Sequence, residues 1–195
     1  MIGTASYVET VIGFLESFSM HFSPGHNVWR SALLSSSIAA KYESEKYWPL
    51  VSKCCKNLIE LDCDLNNTIV TEGLNAAFQT RDAVLASDIV MRVLNSSSPN
   101  MGEEQQGSSL YTGHDSVRLS TSTLFHVIEL CISSKRPELA CSILSECSSV
   151  DWLKIPNITL SELTTTVITG YAQIGDASNA ERIFHRMDSD GLTKR

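Results

Sequence analysis

The chain has 195 residues, of which 43% are hydrophobic and 19% charged, so it can bury a core and does not have the composition of a disordered chain. Ten glycines and five prolines are too few for the tight turns of an all-β fold. The net charge of −7 falls mostly on residues 1–117, which carry 7 Lys/Arg and 13 Asp/Glu, so we expect this half to bind protein and any phosphate contact to lie in the second half.

Helical periodicity dominates the N-terminal part of the chain. Apolar residues at three-to-four spacing predict helices over residues 8–18, 28–42 and 45–61. Their inward-facing side chains are predicted to include Trp29, Leu33, Ile38, Tyr47, Leu50, Val51, Cys54, Leu58 and Leu61. We assign residues 1–66 to N-terminal helices that include a candidate degenerate hairpin.

Four further helices are predicted in the middle of the chain, over residues 68–78, 83–94, 121–133 and 137–147. The first of them is capped by Asn67 or Thr68. Residues 95–120 are rich in Ser and Gly and show no apolar period, which predicts a flexible insertion. No segment shows the period-2 pattern of a strand, so we expect an all-α fold.

The last 35 residues, 161–195, read as one complete helical hairpin. The first helix is predicted over residues 161–174 and the second over 177–188. Gly175 supplies a positive φ at the turn and Asp176 caps the second helix. The apolar faces of the two helices comprise Leu163, Val167, Ile168 and Tyr171, and Ile183, Phe184 and Met187. A hairpin with two apolar faces cannot bury them alone, so neighbouring hairpins must stack on it.

This unit resembles the pentatricopeptide repeat more than the related tetratricopeptide repeat, whose Trp it lacks. The residues that carry the resemblance are Val167, Ile168, Gly170, Tyr171, Gly175, Asp176, Ala180, Ile183, Phe184, Met187 and Gly191. Weaker copies appear when the alanine of the second helix is used as a ruler, because Ala140 lies 40 residues before Ala180 and Ala86 lies 54 before Ala140. We therefore predict degenerate repeats at 67–94 and 121–160, and an α-solenoid of stacked hairpins.

The resemblance implies binding of single-stranded or ribosomal RNA, with one base facing each hairpin. The base-reading positions of the last unit correspond to Thr165 and Arg195. Arg182, Arg186 and Lys194 form with Arg195 a basic cluster that could meet phosphate. The alternatives are a solvent-facing threonine and a solvated charged face balanced by nearby acids.

Several positions depart from the family pattern. Glu162 replaces an aliphatic residue, Gln173 replaces a residue that is often basic, and Arg195 replaces a small polar or acidic one. In the preceding unit the reading position falls on Phe125, which is either a stacking platform or a core residue. The three tryptophans are expected to lie in the core rather than to stack on bases: Trp29, Trp48 and Trp152.

We predict no enzymatic activity, no cofactor and no metal site. The six cysteines form no CxxC pair and are expected to be reduced, buried thiols in helices. His21 and His26 lack metal-ligand spacing to Cys54 and Cys55. No apolar stretch is long enough for a membrane span.

Two functions remain open at this point. The first is an organellar RNA-associated protein, in the mitochondrion or alternatively the plastid, as the resemblance implies. The second is a scaffold that binds protein subunits of a large organellar assembly such as the mitochondrial ribosome, through its acidic N-terminal half. The N-terminus is acidic and unlike a transit peptide, so we expect a leader to be removed or absent. We also expect a partner or a further segment of chain to cover the Met187 side.

Overall fold

The computed structural model describes residues 10–14, 17, 25–96, 117, 119–150, 155–189 and 191–192. Residues 10–14 are helical. They are followed by α1 (His26–Tyr42), a short 3₁₀ helix (Glu45–Tyr47), α2 (Trp48–Glu60), α3 (Asn67–Thr80), α4 (Ala83–Ser96), α5 (Thr121–Ser133), α6 (Pro137–Ser149), α7 (Asn157–Gln173) and α8 (Ala177–Ser189). No described residue lies in a strand, so the prediction of an all-α fold is confirmed for this part of the chain. Most of the predicted flexible insertion and Trp152 lie outside the described residues.

Helix α1 buries a different side from the one predicted. Trp29 and Leu33 are in the core as expected, but Ile38 is 56% exposed. The rest of the buried side is made of small residues: Ala32, Ser36, Ser37, Ala39 and Ala40. At 100° per residue, Ile38 lies opposite this arc, so its inward assignment was wrong. Leu61 was also wrong, because α2 ends at Glu60 and leaves it 40% exposed.

Two helix starts differ from the predictions. The cap of α3 is Asn66, whose extended backbone lets its side chain accept the Ile69 N–H at 2.9 Å, and not Asn67 or Thr68. Helix α7 begins at Asn157, four residues before the predicted start at Ser161. Pro156 sets that boundary, because it occupies the N-cap and its carbonyl accepts the Leu160 N–H at 2.9 Å.

The turns α3–α4, α5–α6 and α7–α8 have the same geometry. Each first helix ends on a residue with left-handed backbone, which is Arg81 (φ 54°), Lys135 (φ 58°) or Gly175 (φ 80°). In each turn the N–H of the following residue donates to the carbonyl five positions earlier, at 2.8 to 2.9 Å. This is the Schellman ending of a helix. The positive φ predicted for Gly175 is confirmed, and two basic residues adopt the same conformation.

The next position caps the second helix in two of these hairpins. Asp82 accepts the Leu85 N–H at 3.0 Å, and Asp176 accepts the Asn179 N–H at 3.1 Å, as predicted for Asp176. Arg136 holds this position in the α5–α6 hairpin without a side-chain cap, and Pro137 follows it at the start of α6. The ruler alanines Ala86, Ala140 and Ala180 all lie five residues after the left-handed residue. The alignment drawn from sequence therefore matches the turn geometry.

The left-handed positions yield a stability prediction. Gly175→Ala should lower the free energy of unfolding by about 1 kcal/mol, because a Cβ is disfavoured at positive φ. Lys135→Gly should raise it by about 0.5 kcal/mol, since relief of that strain exceeds the extra entropy of the unfolded chain. Urea denaturation measures both, with Lys135→Ala as the control that removes the charge but keeps the strain. A destabilised Lys135→Gly variant would contradict the interpretation.

Packing between helices follows chain order. Each helix contacts the next, and the pairs α1–α3, α2–α4, α4–α6 and α5–α7 also contact one another. The closely packed pairs among the described helices thus lie one or two helices apart. The largest fully buried side chains are distributed along this whole length: Ile12, Leu33, Leu58, Leu85, Ile89, Leu94, Leu124, Ile128, Ile143 and Leu163. Trp29 and Trp48 are buried, as predicted.

Candidate nucleic-acid interface

One row of side chains is defined by the shared turn geometry. Thr71, Phe125 and Thr165 each lie ten residues before the left-handed residue of their hairpin. They occupy the same position on α3, α5 and α7. Thr71 and Thr165 are exposed and Phe125 is half-buried. Sequence inspection did not find Thr71, because its unit is the most degenerate of the three and only the turn at Arg81 fixes its register.

Thr165 has its hydroxyl proton already engaged. Its Oγ1 donates to the carbonyl of Ser161, one turn earlier in α7, at 2.8 Å. The neighbouring Thr166 makes the same bond to the Glu162 carbonyl at 3.0 Å. A hydroxyl in this arrangement keeps its lone pairs and can accept a hydrogen bond from an external donor. Thr165 could therefore accept from the amino group of a base.

Phe125 combines the two roles that the sequence left open. It packs against the core and keeps part of its ring accessible. The adjacent His126 is exposed and meets Phe78 of α3 edge-on, with ring centroids 6.3 Å apart at 85°. These aromatic rings connect α3 to α5 beside the row.

The surface beside the row carries little positive charge. Glu162 and Gln173 are both exposed on α7, and Glu129 is exposed on α5. The positions equivalent to Glu162 are Thr68 and Ser122, which are also exposed. Phosphate gains little on such a surface, so neutral side chains would have to make most contacts there.

The predicted basic cluster is described only in part. Arg182 and Arg186 are exposed one turn apart on α8, and Arg182 donates to Asn179 Oδ1 at 2.9 Å. Arg186 lines a small cleft of about 60 Å³ together with Thr164, the neighbour of Thr165. Lys194 and Arg195 lie outside the described residues. The structure thus puts Thr165 on α7 and the two described arginines on the paired helix.

The cysteines are free, and all but the half-buried Cys141 are buried. Cys63 lies between α2 and α3, so its assignment to a helix was wrong. Burial raises the pKa of Cys55 to about 12, with a further contribution from Cys54. Burial likewise raises the pKa of Cys147 to about 12 and that of Cys131 to about 11. These three thiols stay protonated at neutral pH, so they are poor nucleophiles and poor metal ligands.

Two searches of the described residues gave negative results. No three His, Cys, Asp or Glu side chains lie close enough together there to share a metal ion. None of the described helices combines the length and the apolar character that a membrane span requires.

Comparison with protein-family models, with curated proteins and with solved structures finds no match.

Proposed function

We propose that this chain is a pentatricopeptide-like α-solenoid that holds single-stranded or ribosomal RNA and does no catalysis. The observation that carries the proposal is the row of Thr71, Phe125 and Thr165, spaced by three turns of identical geometry. A repeated hairpin presents the same position at regular intervals, as an array that meets one base per unit requires.

The row supplies the chemistry that unpaired bases need. Phe125 offers part of a ring to a base face, and base–aromatic stacking contributes about 1–3 kcal/mol per base. Thr165 accepts a hydrogen bond from an exocyclic amino group. Because the row carries few cations, such binding would depend less on salt than that of a basic nucleic-acid protein.

The test is a titration of the full chain with a random pool of single-stranded RNA, followed by fluorescence anisotropy. We expect binding tighter than roughly 10⁻⁴ M at physiological salt. Thr165→Ala should weaken it by about 2- to 10-fold, the effect of losing one net hydrogen bond. Affinity weaker than that bound would exclude RNA binding by the isolated chain.

Thr166→Ala is the matched control for this titration. It removes the same hydroxyl, with the same bond to the preceding turn, from the next residue of α7. Its affinity should equal that of the unmodified chain. Equal losses in both variants would mean that the helix is perturbed and that Thr165 reads no base.

A second function is favoured by a different observation. Leu34, Ile38 and Tyr42 form an exposed apolar stripe along α1 and are 43%, 56% and 83% exposed, with Glu43 following. Phe184 is 49% exposed, although the equivalent Val90 is fully buried. Exposed apolar side chains of this kind mark protein contacts, so a scaffold role in a large organellar assembly is the alternative. The RNA titration separates the two functions.

The cellular location is proposed from the resemblance alone. We propose the mitochondrion, with the plastid as the alternative, because the repeat type is typical of these organelles. A fluorescent fusion of the protein in its source cells would test it.

A further inference from the structure

A wide cleft of about 590 Å³ opens where α2 meets the α3–α4 and α5–α6 turns. Four cations line it: Lys53 and Lys56 from α2, Arg81 from the first turn and Arg136 from the second. Asp82 is the one acid among the described lining residues. The cleft is separate from the row, since Thr71, Phe125 and Thr165 are not part of its lining.

Hydroxyl groups complete a lining suited to an oxyanion. Ser52, Thr80 and Ser134 contribute theirs, and the Ser52 and Thr80 oxygens lie 3.3 Å apart. Helix α4 begins at the cleft with Ala83 and Val84. Guanidinium, ammonium and hydroxyl donors around one concave space bind phosphate oxygens well.

The acids close to the cleft reduce its charge without cancelling it. Lys56 pairs with Asp82 at 2.6 Å, and Arg136 pairs with Glu138. Asp88 lies on α4 close enough to interact with Asp82 and Lys56. These pairs hold the long side chains at the wall, and the four lining cations still exceed the single lining carboxylate.

The backbone at the cleft provides an independent observation. Arg81 has φ 54°, and Lys135, between the lining residues Ser134 and Arg136, has φ 58°. The α7–α8 turn has a glycine at this position, where it costs least. A basic side chain that is kept in a disfavoured conformation suggests that the side chain itself is needed.

We propose that this cleft binds phosphate groups, through Lys53, Lys56, Arg81 and Arg136. The source is either the sugar–phosphate backbone of a single strand or a free oligophosphate, and both present the same oxygens. The proposal does not require that bases are read at the row.

Arg81→Gly is the test variant and Lys135→Gly its matched control. Both replace a cation at the same turn position with the residue that suits positive φ, so both variants should fold. Lys135 is not among the residues that line the cleft. Inorganic pyrophosphate is titrated by calorimetry, and a twelve-residue oligouridylate by anisotropy, against each full-length protein. Arg81→Gly should weaken pyrophosphate binding by roughly 5-fold or more, and Lys135→Gly by less than about 2-fold.

The two probes distinguish the sources of phosphate. Loss of both affinities in Arg81→Gly means that the cleft holds a strand, whereas loss of pyrophosphate alone means a free oligophosphate. Equal affinities in all three proteins, or equal losses in both variants, would overturn the cleft. Failure of the RNA proposal looks different, since pyrophosphate would still bind and Thr165→Ala would change nothing.

Discussion

Gly170→Val should lower the free energy of unfolding by about 2–3 kcal/mol. Gly170 is buried where α7 crosses α5, and a Cβ built there would lie 2.2 Å from Ile132 Cδ1 and 3.1 Å from two further Ile132 carbons. Valine adds two more carbons in the same direction. The half-buried Ile132 cannot move away from all of them, so the two helices must separate. Urea denaturation followed by circular dichroism measures the loss.

Two further variants test the cause. Ile132→Ala removes the obstructing side chain, so Gly170→Val in that background should cost less than about 1 kcal/mol. Gly13→Val is the control, because it adds the same side chain to a helical glycine with no atom within 4 Å, and it should change stability by less than about 0.5 kcal/mol. Additive effects of Gly170→Val and Ile132→Ala would rule out the contact as the cause.

The close approach at Gly170 shows what sequence patterns could and could not provide. The motif marked Gly170 as a family position, but only its contact with Ile132 explains why a side chain is excluded. Helix positions followed from apolar periodicity, and the α7–α8 turn followed from Gly175 and Asp176 because their conformations are local. The inner side of α1 did not follow, because small Ala and Ser residues line it and Ile38 is larger and more apolar than they are.

The candidate sites divide along the same line. Thr165 and Phe125 could be proposed from one repeat motif, since their positions depend on spacing within a hairpin. Charge counted by halves predicts phosphate contacts after residue 117, yet the proposed cleft takes Lys53, Lys56 and Arg81 from the first half. Residues so far apart in sequence come together only through packing of successive hairpins. The available signal was a cation at the turn of two successive units, Arg81 and Lys135.

A buried ion pair that joins α1 to α3 had no sequence signal either. Glu72 of α3 accepts hydrogen bonds from Ser37 and Lys41 of α1, each at 2.5 Å. The glutamate side chain is 12% exposed and that of Lys41 is 38% exposed. Burial acts to raise the pKa of the Glu72 carboxyl, but the hydrogen bonds from Lys41 and Ser37 together outweigh it, so the pKa is lowered. The carboxylate is therefore the form that the fold stabilises.

Glu72→Gln should lower the free energy of unfolding by about 1–2 kcal/mol at pH 7, less than a fully buried pair would lose because Lys41 can reach water. The loss should depend on pH. A carboxyl whose pKa is lower in the folded protein contributes its stability above the unfolded value of about 4.3 and loses it as pH falls through the folded value. The difference between the two proteins should therefore be constant from pH 7 to about 5 and narrow below. Glu162→Gln, an exposed change on α7, should show neither the loss nor the pH dependence. Because the pair ties the first hairpin to the second, a gap that stays constant down to pH 3 would show that shape rather than charge holds α1 against α3.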